Sequence, residues 1–139
     1  MEETKQDLIN RKNYLEGLVD GYFRKVNAIN DKISRLEKAK SALAGYKQII
    51  DKQKGNVNDE FKDCSDSKDW KGSNRNKANT YKNQINTSFG DSGWDLLWIN
   101  DAITREIIAL NVQKDPLVQA IGSAQDTIRS LANAIFHFE

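Results

Sequence analysis

The chain has 139 residues and a formal net charge of +1, and 38% of its residues are hydrophobic against 29% charged. This length suits one domain, but so polar a composition argues against a thick globular core. The chain contains only one proline and eight glycines, the residues that most often end a helix or strand, so the composition favours long helices.

Charge is distributed unevenly along the chain. Residues 1–62 hold 13 Lys/Arg and 10 Asp/Glu, whereas residues 83–139 hold 3 and 7, so the two halves can attract each other. The lysines of the first half are interleaved with acids instead of being gathered on one basic face. This pattern argues against nucleic-acid binding.

A heptad repeat runs through the first half of the chain and predicts one helix over about residues 5–62. The alternate seam positions are apolar at Val19, Val26 and Ile33 but become Lys40, Lys47 and Lys54. The main seam positions are apolar throughout: Leu8, Leu15, Tyr22, Ile29, Leu36, Leu43, Ile50 and Val57. Residues 63–73 lose the repeat and are rich in residues that favour turns and N-caps, so we expect the chain to reverse there.

A second apolar stripe predicts another helix over about residues 74–137. Its phase is preserved across Gly90–Gly93 and Pro116, which favours one long helix, loosened at the glycines and kinked at the proline. A true break is the alternative, because Asp115-Pro116 also resembles an N-cap followed by proline at the first helical position. The expected seam is Ala78, Tyr81, Ile85, Phe89, Leu96, Ile99, Ile103, Ile107, Leu110, Leu117, Ile121, Ala124, Ile128, Leu131, Ile135 and Phe138.

Two helical segments of similar length predict an all-α fold over residues 1–139, a single-domain antiparallel two-helix coiled-coil hairpin. Not every apolar residue of the second helix lies on the seam. Trp94, Leu97, Trp98 and Ile108 fall on the opposite helical face, with Asp101 and Arg105 among them. We predict that these four apolar residues bind a partner or a second copy, which would complete a helical bundle. Local cover by the hairpin itself is the alternative.

Residues that carry catalytic chemistry are scarce. His137 is the only histidine and Cys64 the only cysteine, which excludes an internal disulfide and any His-based triad or Cys-rich metal site. The sequence therefore predicts no catalytic residue, no metal and no cofactor, and an interaction module that is not an enzyme. The acidic start lacks the apolar region of a signal peptide, and no apolar run reaches the ~20 residues of a membrane span, so we expect a cytoplasmic protein.

The predicted turn contains Trp70-Lys71-Gly72, a Trp-x-Gly triplet between two long helices. In this position the triplet resembles the WXG-type (ESAT-like) helical hairpins of type VII secretion. The coiled-coil stretch from Ile33 to Lys40 is more similar to a subfamily of small helical proteins in Gram-positive bacteria, encoded beside LXG polymorphic toxins. The resemblance covers nearly the whole chain in architecture, but only Trp70 and Gly72 match a motif.

The resemblance implies an accessory or targeting role in type VII secretion. The implied partner is the helical N-terminal region of an LXG-type toxin, often together with a second small helical protein. The family's Tyr-x-x-x-Asp/Glu export signal is absent, since Ile85 follows Tyr81 at the fourth position and the other tyrosines fit no better. Either a partner supplies the signal and the two are exported together, or the protein stays behind as an adaptor. The competing expectation is a self-assembling structural homodimer, a four-helix coiled coil without a toxin client.

Overall fold

The computed structural model of the chain describes residues 2–66 and 73–138, with side chains described for residues 2–60 and 75–138. Helix α1 spans Lys5–Asp66 and helix α2 spans Ser73–Phe136. The two helices pack against each other, and no strand occurs within the described ranges. The predicted all-α helical hairpin is confirmed. The Trp70 and Gly72 motif lies outside the described residues.

Helix α1 begins at a reciprocal cap. The backbone N–H of Asp7 donates to the Thr4 hydroxyl oxygen (3.1 Å), and the backbone N–H of Thr4 donates to a carboxylate oxygen of Asp7 (3.0 Å). Two backbone donors that the helix cannot pair internally are thereby satisfied. The hydrogen bond donated by the backbone N–H of Thr4, supported by one from its side chain, lowers the pKa of the Asp7 carboxyl below its usual range.

Helix α2 is continuous through both of its suspected interruptions, Gly90–Gly93 and Pro116. A proline inside a helix removes one backbone hydrogen bond and leaves the carbonyl four residues earlier, here that of Val112, without its donor. Both Pro116 and Val112 are exposed, so water can bind this carbonyl. The alternative of a true helix break at Asp115-Pro116 is therefore wrong.

The helices contribute to two compact units, which we call the terminal unit (Met1–Arg35 with Glu106–Glu139) and the central unit (Leu36–Arg105). In the terminal unit, Val19 and Val26 of α1 cluster with Ile121 of α2. Tyr22, Leu117, Ala124 and Ile128 pack around this cluster. The half-buried Lys114 donates from its ammonium to the amide oxygen of Asn30 across the two helices (3.3 Å). The seam of this unit is therefore mainly apolar.

The central unit has a much thinner core. Of the buried hydrophobic residues among the described side chains, only Ala78 belongs to it. Its α1 seam residues Leu36, Leu43, Ile50 and Val57 are half-buried, as are Phe89, Leu96 and Ile103 of α2. The heptad seam predicted for α1 is thus correct, but in this unit it is only partly covered.

Three residues of the seam predicted for α2 are instead exposed. Tyr81 is 59% exposed, Ile99 48% and Phe138 39%. At Ile99 the error was to choose an apolar residue over its polar neighbour Asn100. Gly93 and Asn100 are half-buried and, at a spacing of seven, continue the heptad position of Ile107 and Ile121. The supercoil fixes which position faces the other helix, even where a polar or small residue occupies it.

Candidate partner-binding surface

An exposed apolar stripe lies on α2 of the central unit. Trp94 is 63% exposed, Trp98 70% and Leu97 49%, as expected for residues that the partner helix of the hairpin does not cover. Trp94 and Trp98 are four residues apart, and Leu97 is three residues from Trp94, so the three side chains are neighbours on one helical face. We call these three residues the tryptophan stripe. The alternative that the hairpin covers them locally is wrong, since most of both indoles is open to solvent.

Ile108, the fourth residue predicted for partner binding, belongs to the terminal unit and is 58% exposed. The tryptophan stripe therefore does not include Ile108. Sequence analysis also overlooked Tyr46 and Ile49, two exposed residues on α1 of the central unit. Neither residue occupies a heptad position of α1, so the seam does not explain them. Their apolar character off the seam was the only signal in the sequence that could have identified them.

A groove lies between the two helices of the central unit, next to the tryptophan stripe. Its volume is about 230 Å³. Small-molecule pockets usually measure about 300–1,000 Å³, so this groove suits an inserted protein side chain better than a drug-sized ligand. Helix α1 contributes Lys40, Leu43, Ala44 and Lys47, and helix α2 contributes Gly93, Leu96, Leu97 and Asn100. Leu97 belongs to both the groove and the stripe, which joins them into one surface.

The groove exists because the seam is incomplete here. Where the terminal unit places Val19, Val26 and Ile33, the same heptad positions of α1 in the central unit hold exposed lysines. On α2 the corresponding positions hold Gly93 and Asn100. A Cβ added to Gly93 would meet no atom of α1 within 4 Å, so space is left between this residue and α1. Sequence analysis noted the lysines but missed Gly93 and Asn100, because neither is apolar.

Buried polar atoms also mark the seam of the central unit. The side-chain oxygens of Asn58 and Asn86 are buried and have no hydrogen-bond partner among the described residues. An unsatisfied buried acceptor costs about 1–3 kcal/mol. The central unit is therefore held together less well than its heptad repeat in α1 suggests.

The lysines of the groove form no ion pair with any described side chain. The ion pairs formed by described side chains are Arg11–Glu3, Lys12–Glu16 and Arg129–Asp126, all within the terminal unit. Between residues 38 and 54, α1 carries five lysines against the single Asp51. The α1 side of the groove is therefore positively charged and electrostatically unpaired.

Within residues 2–66 and 73–138, no group of three His, Cys, Asp or Glu side chains could hold a metal ion. Over the same ranges, no helix is long and apolar enough to span a bilayer. Among the described residues, this surface combines an apolar stripe, a narrow groove and two lysines that form no ion pair. An exposed apolar patch rimmed by polar residues is the kind of surface at which protein–protein interaction sites are found.

Comparison of the chain with protein-family models, curated proteins and solved structures gave no match.

Proposed function

We propose that this protein is an accessory partner of type VII secretion that binds the helical N-terminal region of an LXG-type toxin through a shared helical bundle. The observation that carries this proposal is the solvent exposure of Trp94 and Trp98 on a helical hairpin. Tryptophan is among the residues that most often dominate the free energy of protein–protein association. Two of them on one helical face, with Leu97 between them, form an anchor that a partner can bury.

Incomplete packing of the central unit supports the same proposal. Its seam residues are mostly half-buried and its core is small, so further apolar burial is available to a helix from another chain. Adding a third helix to two helices encloses a core that a two-helix hairpin leaves open. The Trp70-Lys71-Gly72 triplet and the helical hairpin direct the choice of partner toward type VII secretion. In this role the protein acts without catalysis, either exported together with its toxin or retained in the cytoplasm.

Co-expression with the helical N-terminal region of an LXG-type toxin tests this function. We expect the chain to co-purify with that region, and native mass measurement to give a complex containing both. A second small helical protein in the same complex would be consistent with the proposal. If the chain purifies without the toxin region and has the mass of a homodimer, the structural-homodimer alternative is correct instead.

A further inference from the structure

We infer that the groove of the central unit receives an amphipathic helix from another protein, and that this helix carries carboxylates beside its apolar stripe. The inference rests on the proposed partner-binding function and adds the chemistry of the element that docks. Leu43, Leu96 and Leu97 provide the apolar lining, whereas Lys40 and Lys47 provide charge on the α1 side.

Charge complementarity determines the acidic character of this helix. Lys40 and Lys47 are seven residues apart on α1, so they stand one heptad apart along the same side of the groove. Neither forms an ion pair with a described side chain. Basic residues on the flank that faces α1 would lie beside Lys40 and Lys47, whereas Glu or Asp at matching heptad spacing on that flank would pair with both lysines.

The space at Gly93 indicates how such a helix is held. Gly93 and Asn100 are seven residues apart, and both contribute to the groove together with Leu96 between them. An apolar side chain of the incoming helix can enter beside Gly93, where no atom of α1 lies within 4 Å of an added Cβ. This is the knob-into-hole contact by which helices of a bundle recognise one another.

A second copy of this chain fits the groove less well. A copy that inserted its tryptophan stripe would carry Asp101 with it, because Asp101 is three residues from Trp98 and four from Leu97 and so lies on the same helical face. In the groove this carboxylate would be desolvated among apolar side chains instead of standing at the edge, next to the lysines. A separate helix with its acids at the edges of its own apolar stripe brings no such carboxylate into the groove.

Two synthetic helical peptides of about four heptads test the inference, both with Leu and Ile at the seam positions. One peptide carries Glu at the flanking positions and the other carries Lys. We expect the full-length protein to bind the Glu peptide at least about tenfold more tightly than the Lys peptide, with a preference that weakens as salt is raised. Calorimetry or fluorescence anisotropy measures both affinities.

Charge reversal in the groove provides the decisive variant. Lys40→Glu/Lys47→Glu should reverse the preference between the two peptides, whereas Lys38→Glu/Lys52→Glu, with the same net charge but outside the groove lining, should keep it. Both variants change exposed residues, so circular dichroism should show unchanged helicity. Equal affinities for the two peptides, or equal effects of the two variants, would overturn the inference.

Sedimentation of the protein alone adds a further outcome. A wild-type dimer that dissociates on Lys40→Glu/Lys47→Glu would assign the groove to a second copy and overturn the inference.

The toxin-binding experiment is independent of the peptide and sedimentation measurements. If the toxin region binds wild type and the groove variant equally, the groove chemistry is wrong while the proposed function stands. If the Glu peptide binds as described and no toxin region binds, the proposed function is wrong while the groove chemistry stands.

Discussion

At the scale of single residues, the cap formed by Thr4 and Asp7 determines how α1 begins. Thr4→Ala removes the hydroxyl that accepts the backbone N–H of Asp7, so we expect the free energy of unfolding to fall by about 1 kcal/mol. Chemical denaturation measures the change. Thr127→Ala is the matched control, because that exposed hydroxyl only donates to the carbonyl of Ser123 inside a helix. A loss in the control as large as in Thr4→Ala would contradict the capping role.

The same cap predicts a dependence of stability on pH. The pKa of Asp7 is lowered in the folded state by hydrogen bonds from Thr4, so ionised Asp7 stabilises the fold at neutral pH. This stabilisation is fully present above the ordinary aspartate pKa and is lost as the pH falls through the lower, folded-state value. We expect Asp7→Asn to be less stable than wild type at pH 7 and the difference to shrink toward pH 2. A difference that stays constant over this range would show that the charge of Asp7 has no part in the cap.

Replacing Asn86, in contrast, should raise the stability of the fold. Its amide oxygen is buried without a hydrogen-bond partner among the described residues, so an apolar replacement should remove a penalty. We expect Asn86→Leu to raise the free energy of unfolding by about 1–3 kcal/mol, as read from a thermal or urea transition. Asn83→Leu, at an exposed position of the same helix, should leave stability nearly unchanged. Destabilisation by Asn86→Leu would mean that the amide is satisfied.

At the scale of the helices, the seam of α1 changes character along its length. Ile33 is buried, whereas Lys40, one heptad later, is exposed. Ile33→Asp places an unpaired charge between packed helices and should cost several kcal/mol, with loss of a cooperative melting transition. Arg35→Asp, at an exposed position nearby, is the control and should melt almost as the wild type does. Identical melts for Ile33→Asp and wild type would refute the heptad seam.

The two helices differ in how well the sequence predicts their packing. In α1 the repeat Leu36, Leu43, Ile50 and Val57 is apolar at each step, so the seam could be read directly. In α2 the seam includes Gly93 and Asn100, and a search for apolar residues selects Ile99 in place of its polar neighbour. Seam geometry is a property of two helices wound together, and hydropathy along one helix reports it only where that helix is apolar.

The candidate site was predictable to a similar degree. Helical spacing identified Trp94, Leu97 and Trp98 as a face away from the seam, and all three are exposed. The adjoining groove was not predictable, because its lining combines Lys40, Gly93 and Asn100, which share no composition signal. It arises only when the two helices of the central unit are brought together.

At the scale of the whole molecule, the two units differ in how much of their apolar surface is buried. Seven of the eight buried hydrophobic residues among the described side chains belong to the terminal unit. The central unit contains the tryptophan stripe, the groove and the unpaired lysines. A well-packed unit and a sparsely packed one within a single hairpin suit a protein whose binding surface gains stability when a partner covers it.

The affinity of a Trp94→Ala/Trp98→Ala variant for the proposed partner, the helical N-terminal region of an LXG-type toxin, tests the central claim most directly. Truncating two aromatic anchors should weaken binding by about a hundredfold or more, with helicity intact because both residues are exposed in the hairpin. Tyr81→Ala changes an exposed aromatic residue of the same unit that belongs to neither the tryptophan stripe nor the groove, and this variant should bind as wild type does. An unchanged affinity for the double variant would contradict the assignment of the tryptophan stripe as the partner-binding surface.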